Sequence, residues 1–283
     1  MTTTEISTSP VRSARAASRA ALAALLLRDM AVLRKHVIEF VLRTLIQPFL
    51  LVFVFLYVFP EIGQSVGGGR GSAAFATVLV PGVVGISVMF QGVQAVALNL
   101  AQEFGFTREI EDRVQAPCPV WLVAVSKVVS GMVQGLIAAV IVFPIAAVVH
   151  ASGVHPVFDV KWAVALTLVP LTCAAFSSLG LLLGCSFEPH NIGLMFGFIV
   201  LPITFLGGTY YQWTRLASVK VGGFSWLQTL VCINPLVYVN EGLRGAFTDS
   251  SHMHLYVVYP VLVGFAVVFF TAGIRAFRAR VLS

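Results

Sequence analysis

Residues 101–119 read AQEFGFTREIEDRVQAPCP, and six charged side chains (Glu103, Arg108, Glu109, Glu111, Asp112 and Arg113) fall within positions 103–113. On both sides the chain is Val, Leu, Ile, Phe, Ala and Gly with almost no charge. Taken as a helix over 108–115, this island has Thr107 as its N-cap and places Glu109 and Glu111 near the positive end of the helix dipole. Phe106, Ile110 and Val114 recur at every fourth position and make one apolar stripe. Arg108 with Asp112, and Glu109 with Arg113, stand at the i,i+4 spacing of helical ion pairs. Pro117 and Pro119 end the segment. The pattern predicts a short amphipathic helix with a mixed-charge outer face. Two readings of that face compete: a solvated surface that keeps a loop in water, or a docking handle whose charges fix the register of a protein partner.

The surroundings of the island set the class of the molecule. Hydrophobic residues make up 58% of the 283 and charged residues 11%, with a mean hydropathy of +0.92. A soluble domain carries about 25% charge, so this chain lacks the polar residues to cover a water-facing surface. Several apolar runs approach the roughly 20 residues that cross a bilayer as a helix. They are continuous rather than alternating, which excludes a barrel. The net charge of +6 gathers in segments flanking these runs, a topology signal rather than a nucleic-acid footprint. Cys118, Cys173, Cys185 and Cys232 form no C-x-x-C pair and read as small apolar residues.

Walking outward, residues 1–13 read as a disordered Thr- and Ser-rich tail. Residues 14–36 carry Arg15, Arg19, Arg28 and Arg34 around an apolar core too short to span, which predicts an interfacial helix on the cytoplasmic face. Residues 37–283 then read as one membrane domain with six spans, at about 38–59, 73–98, 121–149, 162–187, 191–206 and 255–276. Basic residues crowd before the first span and after the last (Arg275, Arg278, Arg280), so both termini are expected in the cytoplasm. That places the island inside and the glycine-rich loop at 60–72 outside. Pro48, Pro81, Pro144, Pro170 and Pro202 lie in or near spans, and Gly131/Gly135, Gly180/Gly184 and Gly193/Gly197 each make a G-x-x-x-G that permits close helix contact.

Residues 207–254 are too polar for a clean span and too apolar for a free loop. Pro235 and the Gly242/Gly245 pair divide them into short pieces, which predicts a re-entrant hairpin dipping into the outer leaflet. Glu241 and Arg244 stand three apart and can pair on one helix face. Tyr210, Tyr211, Trp213 and Trp226 read as an outer aromatic belt, with Tyr210 and Tyr211 as candidate edges of an exit path. Arg43 and Lys127 lie a short way inside the first and third spans. Either they snorkel to the cytoplasmic face or they line an inner vestibule.

The span centres hold essentially no Asp or Glu, which disfavours a proton- or ion-coupled carrier. No H-E-x-x-H, G-x-S-x-G or phosphate-loop motif occurs, and His252/His254 and His150/His155 come with no acidic cluster, so they read as surface histidines and no metal site is expected. A channel or an ATP-independent carrier of hydrophobic solutes remains the alternative to an energised transporter.

The stretch EFGFTREIEDRVQAPCPVWLVAVSK, residues 103–127, resembles the first cytoplasmic loop of type-2 ATP-binding-cassette (ABC) exporter permeases. LPITFLGGTYYQWTRL and INPLVYVNEGLRGAF, at 201–216 and 233–247, are similar to that family's fifth-span exit and hairpin. The resemblance covers essentially the whole chain. It implies an all-α polytopic permease of the bacterial plasma membrane. Its elements would be an interfacial helix, six transmembrane helices, a cytoplasmic coupling helix, and an extracellular hairpin between spans five and six. The resemblance further implies pairing with a second permease copy or paralogue, and docking of two ATPase subunits. Those subunits would carry ATP and Mg, with no cofactor on this chain. The island would then couple through Arg108, Glu109, Glu111, Asp112 and Arg113, with Glu103 and Gly105 as the family's acidic-and-glycine element. Expected cargo is a drug, a lipid or a lipid-linked glycan.

Overall fold

The computed structural model describes residues 14–62, 71–105, 119–149, 157–220, 223 and 225–282. Every regular element among them is helical. Helix α1 (Ala14–Lys35) ends with Arg34 and Lys35 in its last turn, where cations complement the helix dipole. After a turn at His36 the chain enters α2 (Val37–Glu61). Then follow α3 (Gly71–Gly105), α4 (Val120–Val148), α5 (Trp162–Ser186), the shorter α6 (Pro189–Phe205), α7 (Pro235–Phe247) and α8 (Leu255–Leu282). Five of these, α2, α3, α4, α5 and α8, are long and apolar enough to cross a membrane. The expected fifth span appears as α6, whose 17 residues measure about 26 Å at 1.5 Å per residue. A π turn at Phe196–Val200 interrupts it, and Pro202 follows.

Helix α3 is the hub. In its apolar window 83% of residues are buried, against 22% in α2 and 17% in α8. It runs between α2, α4, α5 and α7. Its close fit to α5 rests on glycine. A Cβ added to Gly180 would sit 2.8 Å from the Val93 carbonyl oxygen, and one on Gly184 2.9 Å from Ala97 Cα. The two backbones therefore pack directly against each other, as G-x-x-x-G permits. Gly131 and Gly135 of α4 likewise abut Ser177 and Cys173 of α5. The third pair, Gly193/Gly197, meets nothing within 4 Å and makes no contact of this kind. Gly184→Leu is therefore expected to lower stability by about 1–3 kcal/mol through overpacking, seen as less monodisperse protein after heating in detergent. Gly197→Leu in the same assay should match the parent chain.

The second span is longer than the sequence suggests. It continues past residue 98 to Gly105, so Glu103 and Gly105 form its last turn rather than a loop. The reason is packing: Leu100 is fully buried and Phe104 meets the Phe277 ring of α8 at 6.1 Å. Arg280 of α8 lies over Phe104 and donates to the carbonyls of Gly184, Cys185 and Phe187, capping the C-terminus of α5. One of the basic residues read as a topology signal thus also ties three helices together. The remainder of the island, with Arg108, Glu109, Glu111, Asp112 and Arg113, lies outside the described residues, as do residues 1–13, Cys118, His150 and His155.

At the opposite end of the bundle the chain leaves α6 through Gly207–Thr209 and, among the described residues, three short helical turns. It re-enters the core as α7, all thirteen residues of which are buried. Asn234 caps α7 by accepting from the Leu236 N–H at 2.9 Å, and Pro235 occupies the first turn, where no N–H is missed. The extended residues before α5 complete the C-terminal end: Asp159 and Lys161 donate to the carbonyls of Phe247 and Ala246.

Candidate functional site

Two polar assemblies stand at opposite ends of α3. At the island end an open cavity of about 470 Å³ lies between α1, α2, α3 and α4. Both Arg43 and Lys127 line it. Lys127 is buried and does not snorkel to the surface; its Nζ lies 2.5 Å from Glu103 Oε1, so the start of α4 is braced to the last turn of α3. The brace forms because both side chains leave their helices within the bundle. Pairing offsets the desolvation that either charge alone would suffer. Arg43 is exposed to the cavity and forms no ion pair among the described residues.

Deeper in, three helices are joined by uncharged groups. Thr44 of α2 donates to Gln91 Oε1 of α3 at 3.0 Å, and Gln91 Nε2 donates to Gln134 Oε1 of α4 at 3.2 Å. All three residues are buried. Gln134 lines the large cavity, and Gln91 lines a pinch of about 20 Å³ beyond it, with Arg43 on the wall of both. Ser126, Lys127, Ser130 and Gln134 of α4 follow helical spacing and make a buried polar stripe. Sequence reasoning passed over these amides because they carry no charge. The available signal was a recurrence of Gln and Ser at three- and four-residue intervals inside apolar runs.

At the hairpin end, Glu241 and Arg244 of α7 pair at 2.8 Å, with both side chains essentially unexposed. Their remaining capacity is spent on backbone. Glu241 Oε1 also accepts from the Trp213 N–H at 2.8 Å, and Oε2 accepts from the Met253 N–H at 2.9 Å. Arg244 donates to the carbonyls of Gly208 and Thr209, and its Nε reaches the Val78 carbonyl of α3 at 3.4 Å. Asn240, one turn away, donates to the Gly207 carbonyl and to Thr209. The stretch from Asn240 to Arg244 thus clamps the turn after α6, the loop before α8 and the upper part of α3. Asn240 was not anticipated from sequence, although it adjoins Glu241.

Pro235 belongs to this assembly only as the first residue of α7. Tyr210 and Tyr211 sit beside the clamp, half-buried, and line a second open cavity of about 530 Å³ together with Phe75, Arg215 and Asp249. Phe55 of α2 lies 5.5 Å from the Tyr210 ring. Burial pushes both phenols above their usual range, and for Tyr211 a hydrogen bond with Gly208 and the Arg244 charge oppose the rise. His252 contacts the Met253 carbonyl, and no cluster of metal-ligating side chains occurs among the described residues.

The described residues therefore form an all-helical bundle with span-length helices and an open cavity near each end. Comparison with known proteins agrees with that architecture. Residues 20–248 match the family model described as ABC-2 type transporter. The inner membrane transport permease YadH of Escherichia coli K12 is 32% identical over 233 residues, which cover 81% of this chain and 84% of that protein. The permease of the same name from Shigella flexneri matches to the same extent. The chain belongs to the ABC-2 type transporter family, as a non-catalytic membrane subunit of the permease kind.

Proposed function

We propose that this subunit is the passive gate of an ATP-driven exporter. It would move a drug, a lipid or a lipid-linked glycan out of the cytoplasm or inner leaflet. In this reading α6 supplies a sixth crossing, α1 lies along the cytoplasmic surface, both termini are cytoplasmic, and residues 226–247 form a hairpin in the outer leaflet. Membership of the family implies an ABC ATPase partner in general. The specific proposal is two ATPase subunits binding ATP and Mg beneath a pair of permease copies or paralogues. The island would be received in the ATPase, and surrounding lipid would cover the apolar faces of α2 and α8.

One observation carries this reading. The helices that flank the island in sequence, α3 and α4, are also two walls of the 470 Å³ cavity, and the Lys127–Glu103 brace joins them. A load delivered to the ends of α3 and α4 that flank the island would therefore reach two walls of the cavity. The charge pattern of Glu109 and Asp112 suits docking to basic groups of a partner. Glu109→Lys with Asp112→Lys is expected to reduce ATP-driven transport at least about tenfold, the scale of losing a docked charge contact, while membrane insertion stays intact. Wild-type transport in that variant would reduce the island to a solubilising loop. Uphill transport by the chain alone in liposomes, without nucleotide, would instead favour an unaided carrier.

A further inference from the structure

We infer that the cavity at the island end binds the polar head of the cargo, and that this head is neutral overall and rich in hydroxyl or amide groups, as a sugar is. This inference rests on the transporter reading above and names its substrate class.

The first support is charge balance. Arg28, Arg43 and Lys127 face the cavity together with Asp29, Glu39 and Glu103, three charges of each sign with the lining His36 counted as neutral. Lys127 and Glu103 are engaged with each other, and Glu39 lies 3.5 Å from His36. A site for a charged head would keep a surplus of the opposite sign, because removing an ion from water into a partly buried site costs more than neutral hydrogen bonds return. Among the described lining residues, with His36 neutral, there is no such surplus.

The second support is the wealth of amides. Asn99, Gln102 and Gln134 line the cavity, and Gln47, Gln91 and Gln94 line the pinch beyond it. An amide offers donors and acceptors side by side, which matches the alternation of both on a polyol. The ladder takes up Gln134 Oε1 and leaves its Nε2 with no partner among the described residues, on a side chain that lines the cavity. Helices α1, α2 and α3 add Val32, Leu33, Phe40 and Leu98 to the same wall, an apolar margin for the first methylenes of a tail. The volume of about 470 Å³ lies within the range of small-molecule sites, roughly 300–1,000 Å³.

The test uses the full-length chain in phosphatidylcholine nanodiscs and three fluorescent lipids that share one short labelled tail. Their heads are a glucosyl group, phosphoglycerol and a quaternary ammonium. Binding is read as fluorescence anisotropy without nucleotide. The glucosyl lipid is expected to bind at least about tenfold tighter than either charged lipid, and Gln134→Leu to weaken it about tenfold, the scale of one buried hydrogen bond to an unreplaced partner. Gln134→Glu keeps an oxygen for the ladder but tips the charge balance, so preference should move to the quaternary ammonium lipid. Equal or tighter binding of either charged lipid to the parent chain overturns the inference. So does absence of glucosyl-lipid binding, or an unchanged preference in Gln134→Glu. Because no ATP enters this assay, a failed transport experiment with intact glucosyl-lipid binding would reject the exporter reading alone.

Discussion

Glu241→Gln is expected to unfold the hairpin end of the molecule, lowering stability by about 3–5 kcal/mol, the scale measured when one partner of a buried ion pair is removed. The argument runs through three acceptor bonds. The carboxylate receives the Trp213 N–H, the Met253 N–H and Arg244 Nη1. A Gln amide can keep one oxygen acceptor, but its NH₂ then opposes either a backbone N–H or the guanidinium, and the Arg244 charge is left without a counter-charge. Arg244→Lys should be milder but still harmful, by about 1–3 kcal/mol. One ammonium cannot reproduce a planar fork reaching the carbonyls of Gly208, Thr209 and Val78. The measurement is the fraction of detergent-solubilised chain that stays monodisperse after a temperature ramp. If Glu241→Gln melts with the parent, the clamp is not what holds α7 in place.

Lys127→Leu is expected to produce the second large loss, again about 3–5 kcal/mol, but at the other end of α3. Leucine fills much of the lysine stem's volume, so the effect isolates the charge. Without Lys127 the buried Glu103 carboxylate must find solvent through the cavity, pulling the last turn of α3 away from α4. Charge exchange, Glu103→Lys with Lys127→Glu, should recover at least half of the lost stability, since the pair itself is restored. A thermal ramp on the two variants and the parent chain checks both statements. Equal melting of the single and exchanged variants would show that geometry, not opposite charge, sets the brace.

Much of this arrangement was legible in the sequence because lipid leaves the backbone few options. Long apolar runs must be helices, and five of the expected spans correspond to span-length helices, three of them to within two residues at both ends. The Glu241–Arg244 spacing likewise announced an ion pair, since residues three apart share a helix face. Less was legible where a tertiary partner decided the outcome. The continuation of α3 to Gly105 depends on Phe277 and Arg280, residues some 170 positions away. The ladder of Thr44, Gln91 and Gln134 depends on three helices meeting at one depth, and hydropathy treats each of those residues as a minor interruption. The glycine pairs make the same point. Gly180/Gly184 and Gly193/Gly197 are indistinguishable as letters, yet one faces a neighbouring backbone and the other faces open space.

The two clamps share one member. Arg244 reaches α3 at Val78 and Lys127 holds it at Glu103, so 25 residues of a single helix, some 37 Å of it at 1.5 Å per residue, are pinned near both tips. A rod held in that manner would carry displacement from one end of the bundle to the other, with its internal proline, Pro81, close to the Val78 end. Under the exporter reading, access at the two ends would then become a single mechanical degree of freedom, with alternation like a seesaw as the expected behaviour.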